Sequence, residues 1–176
     1  MMTRLCALAI SAALALPAFA HGPTPQTATK NIQVDAAPDV VWTLVKDPSK
    51  LAEWHPDVKS IAMEGEGKGA RRTVEFETGT LVDGIDNIND ENMSIRWRLG
   101  TEAIEVFPVS FYTNDITVTP DGAGSDIKWH ASFFRADTTN EPEERFSDEA
   151  AVTAMDAYIS HGLDGLKAAL DGESGS

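Results

Sequence analysis

The sequence predicts an α+β domain in which a curved antiparallel sheet closes around a long C-terminal helix. Three observations predict it. The middle of the chain is a series of segments that alternate apolar and polar residues and are joined by brief turns, the pattern of an antiparallel meander. A long amphipathic stretch follows them, and its apolar stripe must be buried on something. Two short helical segments interrupt the chain between the first strand and the rest.

Residues 1–20 read as a cleavable export signal. Arg4 gives a basic head, an apolar run from Leu5 to Leu16 follows, and Ala18-Phe19-Ala20 ends it with small residues at the cleavage positions. The run is too short for a stable transmembrane anchor. Its only cysteine, Cys6, lies near the start of the run, so lipidation is not expected, and the mature chain has no thiol. That excludes disulfides, a thiolate nucleophile and a cysteine metal site, and it favours a bacterial periplasm. The formal charge of −14 disfavours nucleic acid and anionic lipid surfaces as partners.

Residues 21–30, with Pro23 and Pro25, read as a flexible arm, and Ile32-Gln33-Val34 as the first strand. Pro38 suits the first turn of a helix, where a missing N–H costs nothing; Val41, Leu44 and Val45 form its stripe. Asp47-Pro48-Ser49 breaks that helix, and Ser49 is placed to cap a second one carrying Leu51 and Trp54. The period then changes to two. Residues 58–63 form a strand before a glycine-rich turn, and Arg72, Val74 and Phe76 share a face. Gly79 marks a hairpin turn or a bulge, and 80–88 continue to the Asn89-Asp90-Glu91-Asn92 turn. Met93, Ile95, Trp97 and Leu99 share the next face. Tyr112, Asn114, Ile116 and Val118 share another, and Ile127, Trp129, Ala131 and Phe133 the last. The helix starts at about Glu143 or Asp148 and reaches Leu170, with Val152, Met155, Ile159, Leu166 and Leu170 as its stripe. Gly162 and Gly165 lower its propensity and allow either close approach to the sheet or a looser end. Residues 31–170 make the domain, and 171–176 a disordered tail.

Ala36-Ala37-Pro38-Asp39-Val40-Val41-Trp42, Asp47-Pro48 and Trp54-His55-Pro56 resemble the START-like (SRPBCC) superfamily of polyketide cyclase/dehydrase and lipid-transport proteins. The resemblance covers residues 30–170 and implies the helix-grip fold. With the export signal and His21-Gly22-Pro23-Thr24-Pro25, the chain is further similar to periplasmic MxaD-like proteins. That likeness implies an accessory role beside a quinoprotein, methanol-type dehydrogenase and its cytochrome.

A bent sheet cannot close fully on a straight helix, so a lined cavity is expected between them. Its candidate ligand-binding residues are Arg72, Phe76, Trp97, Tyr112, Trp129, Phe133, Met155 and Ile159, large apolar or aromatic groups with a few polar handles. Arg72 is the one basic residue on an inward face. Glu75, Glu77, Asp83, Asp86, Glu102, Glu105, Asp115 and His130 are carboxylates and an imidazole that nothing in the pattern pairs, so no catalytic residue is assigned. His55 is expected to bond a carbonyl at a helix end. As a mature terminus His21 would offer an amine and an imidazole to copper, but no metal is assigned, because no two histidines share ligand spacing. Neither a dinucleotide nor a phosphate loop is present, so no cofactor is expected. The leading reading is a periplasmic binding or accessory protein for an apolar small molecule (lipid-, quinone- or polyketide-like) without chemistry of its own. A protein partner, a dehydrogenase or cytochrome, is the alternative, and a cyclase or dehydratase needing a buried titratable pair is the third. An interior plugged by bulky side chains would count against the first.

Overall fold

The computed structural model describes residues 22–173. The segment read as an export signal, His21 and the last three residues of the segment read as a tail lie outside the described residues. Seven strands, β1 (Gln26–Val34), β2 (Ser60–Glu64), β3 (Arg71–Phe76), β4 (Gly79–Asn89), β5 (Ser94–Thr101), β6 (Val109–Asp121) and β7 (Gly124–Arg135), form one sheet in the order β1-β7-β6-β5-β4-β3-β2. Every neighbouring pair is antiparallel. The sheet wraps the helix α3 (Asp148–Glu173), which packs on β1 and β7. This is the predicted helix-grip arrangement. Among the described residues, no helix is long and apolar enough to cross a membrane.

β1 begins at Gln26, inside the stretch read as an arm. It pairs with β7 along its whole length, from Gln26 opposite Phe133 to Val34 opposite Ser125. Only Ala28 and Val34 of the strand are buried. Its outward side chains bond across to β7, Thr29 to His130 at 2.7 Å and Asn31 to Asp126 at 3.2 Å. A polar strand held by a distant partner has no local signature.

α1 (Pro38–Val45) carries Pro38 in its first turn and buries Val41, Trp42, Leu44 and Val45. The Trp42 indole donates to Asp90 at 2.7 Å, fastening the helix to the β4–β5 turn. A 3₁₀ turn, Pro48–Lys50, leads into α2 (Leu51–Trp54). The cap is Asp47, whose carboxylate accepts from the Ser49 N–H at 3.0 Å; Ser49 is the capped residue and not the cap, because Asp47 precedes the turn.

Gly79 closes a two-residue hairpin, with Phe76 opposite Gly79 at a φ of 142°. In β6 the register slips between Ser110 and Thr113. This bulge puts Phe111 in the left-handed region at φ 51°, 66 % exposed and edge-on to Phe134 with ring centroids 6.3 Å apart.

A 3₁₀ turn, Glu144–Phe146, precedes α3, and the Ser147 hydroxyl accepts from the Ala150 N–H at 3.2 Å. The helix continues to Glu173, three residues beyond the expected end. Its buried face is Ala151, Met155, Ile159, Leu163, Leu166 and Leu170, so Leu163 is central and Val152 lies at the margin. Gly162 serves close approach: a Cβ built there would lie 2.6 Å from the Trp129 ring and 2.7 Å from His55.

Candidate functional site

The concave face of the sheet carries a charged pair where apolar residues would be expected. Arg72 on β3 stands opposite Asp83 on β4, and each alternates inward with Val74, Leu81 and Ile85. Tyr112 reaches them from β6. Arg72 is 2 % exposed, Asp83 1 % and Tyr112 5 %. The Arg72 Nε and Nη2 donate to Asp83 Oδ2 at 3.2 and 2.6 Å, and Nη1 donates to the Pro48 carbonyl at 3.4 Å. The Tyr112 hydroxyl donates to the other carboxylate oxygen, Asp83 Oδ1. The guanidinium lies over the Trp97 ring, 5.1 Å from its centroid, a cation–π contact that strengthens as water is removed. Burying an ion pair costs desolvation that its attraction repays only when hydrogen bonds accompany it. Here each guanidinium nitrogen and each carboxylate oxygen has at least one partner.

Over this group lies a cap of aromatic rings. Tyr158 of α3 meets Phe76 of β3 at 6.1 Å and Phe107 of the β5–β6 loop at 5.5 Å, and Phe107 meets Tyr112 at 6.3 Å. Phe76 and Phe107 are only partly buried. Behind Tyr158, His55 stacks on its ring at 4.3 Å. The His55 Nε2 bonds the Tyr158 backbone carbonyl at 3.0 Å, and its Nδ1 accepts from the Asp57 N–H at 3.3 Å. Those two bonds fit the neutral ring with its proton on Nε2. The carbonyl it bonds belongs to the middle of α3 and not to the end of its own helix.

Burial pushes the His55 pKa down to about 4, against a smaller opposing pull from Asp57. Burial first, and then the Asp83 carboxylate, hold the Tyr112 hydroxyl well above its ordinary range. Burial also raises Tyr158. Around neutrality the tyrosines and His55 are uncharged, and the only charges in the group, those of Arg72 and Asp83, cancel. The tyrosines therefore keep their protons, and Tyr112 donates its own to Asp83. Among the described residues the Tyr158 hydroxyl has no hydrogen-bond partner, and the buried Trp54 Nε1 also lacks one.

The eight residues expected to line a cavity all sit on the inner surface, in two sets. Arg72, Phe76, Trp97 and Tyr112 gather at the end just described. Trp129, Phe133, Met155 and Ile159 are at most 1 % exposed and belong to the packed centre. The Trp129 ring has Trp54 and His55 at 6.0 Å, Trp97 at 5.5 Å and Tyr158 at 5.4 Å, and its indole donates to Asn114 at 2.8 Å. Where an open cavity was expected, the side chains around Trp129 fill the space, because Gly162 lets α3 settle directly on that ring. Room remains at the periphery. One hollow of about 570 Å³ includes Pro48 and Met63, both neighbours of Arg72, and one of about 370 Å³ includes Phe76 and Asp57.

Asp83 was legible only as one carboxylate among many, although its place between Leu81 and Ile85 marks it as inward once the register is known. Tyr158 precedes Ile159 in the sequence and lies beside the stripe assigned to the helix, not on it. Phe107 carries no sequence signal, since it lies in irregular chain.

Residues 25–171 match the family model described as polyketide cyclase / dehydrase and lipid transport. No curated protein matches the chain significantly in sequence. Among solved structures, the protein XoxI from Bacillus cereus is similar at 25% identity with a TM-score of 0.70, over 84% of this chain and 97% of that one. A protein from Nitrosospira multiformis is similar at 21% identity and TM-score 0.67, over 86% of this chain and 100% of the other. Norcoclaurine synthase from Thalictrum flavum, solved with dopamine and hydroxybenzaldehyde, is similar at 14% identity and TM-score 0.66, over 92% of this chain and 96% of that one.

Proposed function

Because the chain belongs to the polyketide cyclase/dehydrase and lipid-transport family, we propose that it is an exported, periplasmic binding protein for an apolar small molecule. Binding takes place beneath Phe76, Phe107 and Tyr158 and is not accompanied by chemistry. One observation carries this reading: a hydrogen-bonded Arg72–Asp83–Tyr112 group, with both members of its ion pair buried, sits under partly exposed aromatic rings. An apolar filling would serve folding alone at least as well. With the centre packed, the ligand reaches this end when the Phe76 and Phe107 rings part. Since neither tyrosine nor His55 is poised near neutral pH, proton-transfer catalysis has no evident agent.

Native mass spectrometry of protein purified from the periplasm tests the reading. A co-purifying apolar adduct, a polypeptide mass beginning at His21, and quenching of tryptophan fluorescence on adding a quinone or lipid are expected. Absence of any adduct together with unchanged fluorescence across such a panel would overturn it.

The exposed Phe111 on an acidic chain favours a second reading, contact with a basic dehydrogenase or cytochrome. Association steeply weakened by moderate salt is then expected.

A further inference from the structure

Hydrogen-bond accounting at the candidate site says what kind of molecule it accepts. Three N–H groups of the Arg72 guanidinium bond Asp83 and the Pro48 carbonyl, and its charge is paired with the Asp83 carboxylate. Asp83 spends its two oxygens on Arg72 and Tyr112. Neither charge is left over to meet a charge on a ligand. A carboxylate or an ammonium brought under the aromatic cap would lose its water and gain no counter-ion, which is prohibitive in an apolar setting. Of the two tyrosine hydroxyls at this end, only that of Tyr158 has no partner among the described residues, and its ring meets Phe76 and Phe107 on the helix side of the cap. His55 stacks on one face of its ring and Trp129 meets it edge-on, so the ring is held in place before any ligand arrives.

We infer that the molecule this site takes is uncharged and carries an acceptor oxygen, a ketone or quinone carbonyl, to which the Tyr158 hydroxyl donates. The inference rests on the binding reading above and narrows it. A carbonyl accepts without donating, so it matches a neutral phenol, and its flat conjugated body suits the faces and edges of Phe76 and Phe107. A fatty acid or an amine is rejected by the same site.

Isothermal titration calorimetry at neutral pH with three naphthalenes of equal shape, substituted at the same ring position, tests it. Acetylnaphthalene carries the ketone, isopropenylnaphthalene replaces the oxygen by a methylene, and naphthoate carries a charge. With the intact mature chain, the ketone is expected to bind about two- to tenfold more tightly than the hydrocarbon, the worth of one hydrogen bond. Naphthoate should bind about tenfold or more weakly than the ketone. Tyr158→Phe should bring the ketone down to the hydrocarbon's affinity and leave the hydrocarbon unchanged; that unchanged value also shows that the variant is folded. Equal or tighter binding of naphthoate overturns the inference, as does a ketone preference that survives in Tyr158→Phe. If the hydrocarbon binds as well as the ketone, the binding reading stands and the inference falls. If none of the three binds, both fall together.

Discussion

Removing Asp83 while keeping Arg72 is the perturbation that weighs the buried charges most directly. Asp83→Leu leaves a guanidinium at 2 % exposure without the carboxylate that accepts two of its hydrogen bonds. Breaking a buried pair from one side costs about 3–5 kcal/mol. For a domain of this size each kcal/mol moves the melting temperature by about 2–4 °C, so a fall of about 6–20 °C is expected. The Tyr112 hydroxyl loses its acceptor in the same variant, adding about 1–3 kcal/mol. The triple replacement Arg72→Met, Asp83→Leu, Tyr112→Phe removes all three polar groups at once. It should recover wild-type stability within about 2 kcal/mol, or exceed it, since an apolar filling of a buried pair is neutral or stabilising by about 1–4 kcal/mol. Urea melts of the single, double and triple variants at pH 7 give the coupling directly. If Asp83→Leu costs less than about 1 kcal/mol, or the triple variant is no better than the single one, the group is not the closed electrostatic unit described here.

His55 supplies a pH dependence with a fixed sign. Its folded pKa of about 4 lies below the ordinary 6.5, so the stability from keeping it neutral is complete above pH 6.5 and falls as pH drops from there toward 4. The loss by pH 4 is about 3 kcal/mol, and a His55→Gln variant should flatten that part of the urea-midpoint profile. Gly162→Ala should destabilise the fold: the new Cβ meets the Trp129 ring at 2.6 Å and His55 at 2.7 Å, overpacking costs about 1–3 kcal/mol, and helix propensity returns at most about 1 kcal/mol. Gly172→Ala, with nothing within 4 Å, is the control, and a melting temperature for Gly162→Ala at or above that control would contradict the close contact.

The faces of β3, β5, β6 and β7 were legible because alternation survives any uncertainty about partners: Arg72, Val74 and Phe76 point inward together, as do Tyr112, Asn114, Ile116 and Val118. The start of β1 was not, because Gln26 to Lys30 are a strand only by virtue of β7. Asp83 escaped for the converse reason. A carboxylate reads as solvated until the residue facing it is known, and Arg72 faces it from another strand. The state of the interior was beyond the sequence as well. Whether aromatic side chains enclose space or fill it turns on the distance between α3 and the sheet, and Gly162, which reads as a weakness in the helix, sets that distance at Trp129.

The pairing of β1 with β7 has a consequence for how the chain comes into being. Ile32 meets Ile127, so the first strand leaves the ribosome long before its neighbour exists, and α3 is made later still. The other five pairings join consecutive strands, so this one closes by far the longest loop in the sheet and bears the largest entropy of closure. A chain truncated before Gly124 would hold neither the partner of β1 nor the core helix, so the hairpins from β2 to β6 would have no apolar layer to cover their inner face. A polypeptide that delays its own closure remains threadable through a narrow pore for most of its manufacture.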